Sequence, residues 1–213
     1  MQNTPHVAAA QDEAQPSFRF ASPLNRARPK AHGVLVLAAL VVAAPTHLSN
    51  LIGVALICLG AGIRLWASGY LRKSGKLCTA GPYAHVRHPL YLGTMVMALG
   101  FGVLINQWQR WYLTPILLAT VILLYVVQIV LEERSLRRHY GADYREYARM
   151  VPALLPRLRR ASADPGNGFE WSQVLRNREH LRALWALFAV VLFVVKTELV
   201  RAGLSWLSPL SPR

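Results

Sequence analysis

Acidic residues are scarce in this chain. Ten Asp and Glu stand against 24 Lys and Arg, and charged residues of both signs make up only 16% of its 213 positions. So little charge, against 54% hydrophobic residues and a positive mean hydropathy, argues against an ordinary soluble domain. Two cysteines are too few for a disulfide scaffold. Cys58 lies inside an apolar run and reads as a packing residue, while Cys78 lies in a basic loop, so no bridge between them is expected. The seven histidines are too few for the paired boxes of a membrane di-iron enzyme. His85 and His88 are three apart, but His6, His32, His47, His139 and His180 are scattered, and no metal site is expected. Glycine fingerprints also fail. "GAG" at Gly60 to Gly62 lacks the third glycine of a dinucleotide turn and sits in an apolar run, where it suits close helix packing. "KSGK" lacks the rest of a phosphate loop. No internal repeat is visible.

What the chain does have is apolar runs. A membrane span needs ~20 mostly apolar residues. Val34 to Ala44 is one run, followed by Pro45 and "THLSN", which read as a tight turn. Leu51 to Tyr70 is a second and carries one charge, Arg64. Leu90 to Ile105, Tyr112 to Leu131 and Leu184 to Val195 complete five. The expected fold is therefore all-α: a polytopic membrane protein with about five transmembrane helices. Residues 1–30 read as a basic, disordered tail without an early apolar signal core. Residues 31–156 read as a core of four spans, and residues 157–213 as a connector with a fifth.

The formal charge of +14 is distributed by topology. Basic residues gather before the first run, between the second and third, and between the fourth and fifth, from Arg134 to Arg182. The intervening turns hold only Arg110. This alternation is the positive-inside pattern for a cytosolic N-terminus and a C-terminus on the opposite side. The basic residues then face the lipid bilayer and its anionic heads, and no nucleic-acid partner is expected.

Two polar knots stand out from the apolar background. "GPYAHVRHPLYLG", Gly81 to Gly93, packs cations and aromatics at the entry to the third run. "LEERSLRRHYGADYREYARMVPALLP", Leu131 to Pro156, begins with carboxylates that abut hydrocarbon. An acidic residue in that setting is a functional candidate. Tyr140, Tyr144 and Tyr147 then follow at helical spacing, on one face. Both knots fall on the same expected side of the membrane. Together they offer cations, carboxylates and rings, which suits a zwitterionic ligand with a flat base, such as S-adenosyl-L-methionine.

Read as a combination, the two knots resemble the isoprenylcysteine carboxyl methyltransferase family and its phospholipid methyltransferase relatives, over roughly Gly75 to Pro156. The resemblance implies a small all-helical membrane methyltransferase with a cytosolic-side cofactor pocket. It also implies a lipophilic or small acceptor that arrives from the bilayer. In that reading Lys76, Leu77 and Cys78 line the cofactor. Tyr83, His88, Pro89, Leu90 and Tyr91 form its main wall, and Glu132 closes it. Arg87 belongs to the motif and either binds a carboxylate or braces the loop; with Glu132 it is carried over as catalytic. Glu133 is the weaker of the acidic pair, and His85 occupies a variable position. Gln128 stands where the eukaryotic prenylcysteine enzymes carry an arginine associated with substrate, and it suits a neutral polar group. The resemblance favours O-methylation of an isoprenoid or prenylcysteine-like carboxylate. A lipid amine or a thiol acceptor stays open, as does a steroid reductase-like membrane enzyme that uses NADPH. A non-enzymatic scaffold leaves the two polar knots unexplained.

Overall fold

The computed structural model describes residues 47–72, 77–105, 112–159 and 168–203. All regular structure among them is helical: α1 (His47–Tyr70), a 3-10 turn (Gly81–Ala84), α2 (Pro89–Ile105), α3 (Leu113–Met150), α4 (Trp171–Arg176) and α5 (Glu179–Arg201). Helices α1, α3 and α5 are long and apolar enough to cross a membrane, and α2 is a shorter apolar helix. Their most apolar windows are only 28%, 22% and 28% buried within the protein. A soluble bundle would hide such faces from water, so the exposed leucines, valines and isoleucines face lipid, and the chain is a multi-pass membrane protein. The run Val34 to Ala44 lies outside the described residues.

Two local expectations change. The stretch "HLSN" is the first turn of α1, not a loop; short polar side chains are at home there, beside unpaired backbone N–H groups. Cys58 is exposed on the outer side of α1 and does not pack in the core.

Glycine lets α1 and α2 lie close together, antiparallel. A Cβ on Gly60 would stand 2.5 Å from the Gly93 carbonyl oxygen, and one on Gly93 would stand 2.7 Å from that of Gly60. Two turns further along, Gly53 and Gly100 repeat the reciprocal approach, at 2.9 and 2.7 Å. This is the small-residue packing that membrane helices use where no hydrophobic effect drives them together. Ile57, Leu104, Val190 and Phe193 close a core among α1, α2 and α5.

Arg64, the lone charge of its run, is neutralised in place. Its Nη2 lies 2.9 Å from both carboxylate oxygens of Glu179, and its Nε lies 3.2 Å from one of them. Its Nη1 donates to the Leu90 carbonyl at 3.0 Å and to the Thr94 hydroxyl. A charge this deep requires a partner, and the pairing pins the start of α5 against α1 and α2. The segment before α5 caps α1. Asn177 donates to the carbonyls of Ser68 and Leu71 at 3.1 and 3.0 Å. The Glu170 N–H reaches the Gly69 carbonyl at 3.0 Å.

Helix α3 is broken at Gly141, whose φ of 54° and ψ of −116° are open to glycine and strained for other residues. Arg87 shows which way the chain then turns. Its guanidinium meets Glu133 before the break and the Ala148 carbonyl after it. The second half of α3 therefore folds back along the first. The three tyrosines do not share one continuous helical face. Tyr140 precedes the bend, and Tyr144 and Tyr147 follow it, buried with Val151 against Leu77 and Leu136.

Candidate functional site

The segment that carries the first knot is held from both sides. The Tyr147 hydroxyl donates to the Tyr83 carbonyl at 2.8 Å. Beyond α3, residues 151–157 run alongside residues 85–88. The N–H groups of Arg87 and His88 reach the carbonyls of Pro152 and Ala153, at 2.9 and 3.1 Å, and the Arg157 N–H reaches the His85 carbonyl at 3.1 Å. The His85 ring donates from Nδ1 to the Arg157 carbonyl at 2.8 Å, so this histidine is a latch on the strap. Pro89 then opens α2, where its fixed φ and missing N–H suit the first helical position.

The opposite wall is α3. Here the acidic pair divides its work. Glu133 accepts from Arg87 at 2.8 Å, from His88 Nε2 at 3.3 Å and from Arg137 at 3.4 Å. Its side chain is only 14% exposed, against 34% for Glu132. Glu132 accepts from the Tyr91 hydroxyl at 2.6 Å, and His88 Nδ1 lies 4.0 Å from it. His88 is thus flanked by both carboxylates, and its ring stacks on Tyr91 at 5.6 Å. Tyr91 in turn tilts against Tyr125 at 5.1 Å. Arg87 braces the loop: besides Glu133 it holds the Ala148 carbonyl at 3.0 Å.

Between these walls lies a cleft of about 170 Å³. Leu77, Cys78, Tyr83, Arg87, His88, Pro89, Leu90 and Tyr91 line it from one side, and Glu132 from the other. Lys76 lies outside the described residues. Gln128 is one turn below Glu132 and does not line the cleft. It is 2% exposed, and its carbonyl oxygen has no partner among the described residues. Sequence reasoning missed Leu71, Arg72 and Leu136 as lining residues, and it gave the tyrosines no wall. Arg72, a cation two residues past the apolar run Leu51 to Tyr70, is the signal that the sequence offers. Sequence reasoning also ranked Glu133 second, although Glu133 joins both polar knots.

Among the described residues, three that line the cleft carry a buried donor with no partner there: Arg72 Nε, Arg87 Nε and the Tyr144 hydroxyl. Unsatisfied buried donors are costly, and their grouping here gives the cleft a capacity for an anionic or acceptor-rich group. Burial pushes the Cys78 thiol up to about 11 and the Tyr83 phenol well above its ordinary range, so both stay protonated near neutrality. Among the described residues, no three His, Cys, Asp or Glu side chains gather as metal ligands would.

A family profile described as "Protein of unknown function (DUF1295)" matches residues 51–151, which include every residue lining the cleft. The chain is 36% identical over 111 residues to the cobalt-zinc-cadmium resistance protein CzcN of Cupriavidus metallidurans, covering 51% of this chain and 48% of that one. It is 34% identical over 85 residues to the protein-S-isoprenylcysteine O-methyltransferase of Schizosaccharomyces pombe, covering 39% and 34%. It is 34% identical over 88 residues to the methanethiol S-methyltransferase of Crocosphaera subtropica, covering 38% and 29%. The chain spans about half the length, or less, of the curated relatives it matches. No solved structure matches it.

Proposed function

We propose that this protein is an integral membrane methyltransferase that uses S-adenosylmethionine and acts on an acceptor reached from the bilayer. The observation that carries the reading is the convergence of the two polar segments on one cleft, with three buried donors around it that have no partner among the described residues. Two relatives named as methyltransferases support the class. The word resistance in a third relative's name specifies no reaction.

The residues fit the cofactor's parts. Arg72, Arg87 and Tyr144 offer donors for its carboxylate. Tyr83, Tyr140 and His88 offer ring faces, and Leu77, Leu90 and Leu136 an apolar lining that excludes water. Preformed small-molecule pockets measure ~300–1,000 Å³, so a ligand of this size fills the cleft of about 170 Å³ and extends past its mouth. When bound, S-adenosylmethionine supplies a methyl group already activated by a sulfonium charge. Glu132, held by Tyr91, sets negative charge at the cleft and favours that cation. What the chain must add is alignment and dryness, not covalent chemistry. A carboxylate acceptor needs no base. Gln128 is a neutral residue one turn deeper toward the hydrocarbon, and we assign it to the acceptor's polar end. The likeness to the isoprenylcysteine enzyme, and not Gln128, favours O-methylation of an isoprenoid-like carboxylate. A thiol acceptor is the second reading, favoured by the neutral, unpartnered Gln128 carbonyl, which suits a donor better than an anion.

We also infer that the cleft faces the cytosol. Arg72, Arg87 and the basic residues of α3 and α4 cluster at this end of the spans, as the positive-inside rule requires. The test of the reading is incubation of the membrane protein with methyl-labelled S-adenosylmethionine, followed by extraction of lipids and small thiols. Label in one extractable product, lost with Glu132→Gln, is the expected result. No label above the background of the variant would refute it.

A further inference from the structure

The strap that follows α3 carries an exposed pattern that the cleft does not use. Leu155 and Leu158 are 82% and 98% exposed, and Met150 is 40% exposed. Arg149, Arg157 and Arg159 are exposed among them. In water such leucines would be uncovered for no return. Their height in the molecule explains them. The apolar part of α3 ends near Leu131, and the helix then rises about 15 Å to Gly141. After the bend it comes back down about 10 Å to Ala148, level with Glu133, because Arg87 touches both Glu133 and the Ala148 carbonyl. The strap therefore lies level with the place where α3 leaves the hydrocarbon and α2 enters it. Of the carboxylates of the returning half, Asp143 sits toward the bend, and Glu146 stands one turn, about 4.5 Å, from Arg149 on the bend side.

We propose that residues 150–159 form an interfacial membrane anchor whose occupant is the anionic surface of the bilayer. Leu155 and Leu158 enter the boundary between headgroups and acyl chains, and Arg149, Arg157 and Arg159 meet lipid phosphates. Apolar side chains interleaved with arginine are the chemistry of that boundary. The anchor is tied to the cleft. The strap holds residues 85–88 through three backbone hydrogen bonds and the His85 ring. Engagement of the lipid surface thus steadies the wall that His88 contributes. None of this depends on which group the cleft transfers.

The experiment places an environment-sensitive fluorophore at Leu158→Cys in a Cys58→Ser background. The same background without the new cysteine measures any labelling at Cys78. The full chain is compared in nanodiscs of phosphatidylcholine and of phosphatidylcholine with one third phosphatidylglycerol. The expected result is blue-shifted emission quenched by lipids labelled near the headgroup, stronger in the anionic discs. Arg149→Glu with Arg159→Glu, which leaves the strap's hydrogen bonds to residues 85–88 intact, is expected to weaken the insertion equilibrium about fivefold or more per arginine. Water-like emission in both discs overturns the proposal. So does insertion indifferent to lipid charge, and so does shielding that lipid quenchers cannot reach, as from a second copy of the chain.

Discussion

Adjacent glutamates do different work because consecutive helical residues point about 100° apart. Glu133 faces Arg87 and His88 and joins the two polar segments. Glu132 faces Tyr91 and the open cleft. Glu133→Gln removes the charge that Arg87 and Arg137 pair with, and we expect it to lower stability by about 1–3 kcal/mol, read as a fall in the unfolding midpoint without ligand. Glu132→Gln should leave that midpoint nearly unchanged while it abolishes most methyl transfer. The reverse pattern would mean that the helix is facing the other way. Cys78 offers a check on burial. Its thiol, ordinarily near 9.0, is raised to about 11 by desolvation. The folded state therefore binds that proton more tightly than the unfolded state. The associated stability is full below about pH 9 and is lost as pH rises from there toward 11. Alkylation of the folded protein should be slow at pH 8 and accelerate only near 11. Fast reaction at pH 8 would show an open thiol.

At the scale of elements, the bend at Gly141 builds one wall of the cleft. It turns a straight exit helix into a hairpin and brings Tyr144 and Tyr147 back under the loop of residues 81–88. Gly141→Ala gives a sign test. No atom lies near a Cβ at this site, so only backbone strain is at issue. In a continuous helix, alanine would stabilise by up to ~1 kcal/mol. At a φ of 54° with ψ of −116° it should destabilise by about 1–3 kcal/mol. Thermal unfolding of the variant decides between them. This bend also marks a limit of sequence reading. Spacings of four and three among the tyrosines fit an unbroken helix as well as they fit this hairpin. One glycine in "HYGADY" carries no sign of its φ. The apolar spans were legible because hydrophobic runs are long and local. The contacts of Arg64 with Glu179, and of Asn177 with the end of α1, join residues far apart in sequence, and no local pattern announces them.

At the scale of the whole molecule, the three long apolar helices and the shorter one among the described residues gather their polar ends at one boundary. The cleft lies there, between a loop clamped by the strap and a helix that doubles back. Most of its lining was legible, from Leu77 to Tyr91 and at Glu132, because those residue types cluster tightly in sequence. Arg72, Leu136 and the inward turn of Tyr144 and Tyr147 were not, because they depend on the tertiary path. The C-terminal segment lies outside the matched residues 51–151, yet it caps α1 and neutralises Arg64, so it is built into the same body. The proposed function requires that this cleft bind S-adenosylmethionine. The most direct measurement is titration of the purified protein with S-adenosylhomocysteine and, in parallel, with NADPH, read by calorimetry and thermal unfolding. Saturable binding and a raised unfolding temperature are expected with S-adenosylhomocysteine alone, with affinity about ten- to a hundredfold weaker in Arg87→Ala. Protection by NADPH with none from S-adenosylhomocysteine would contradict the proposed function.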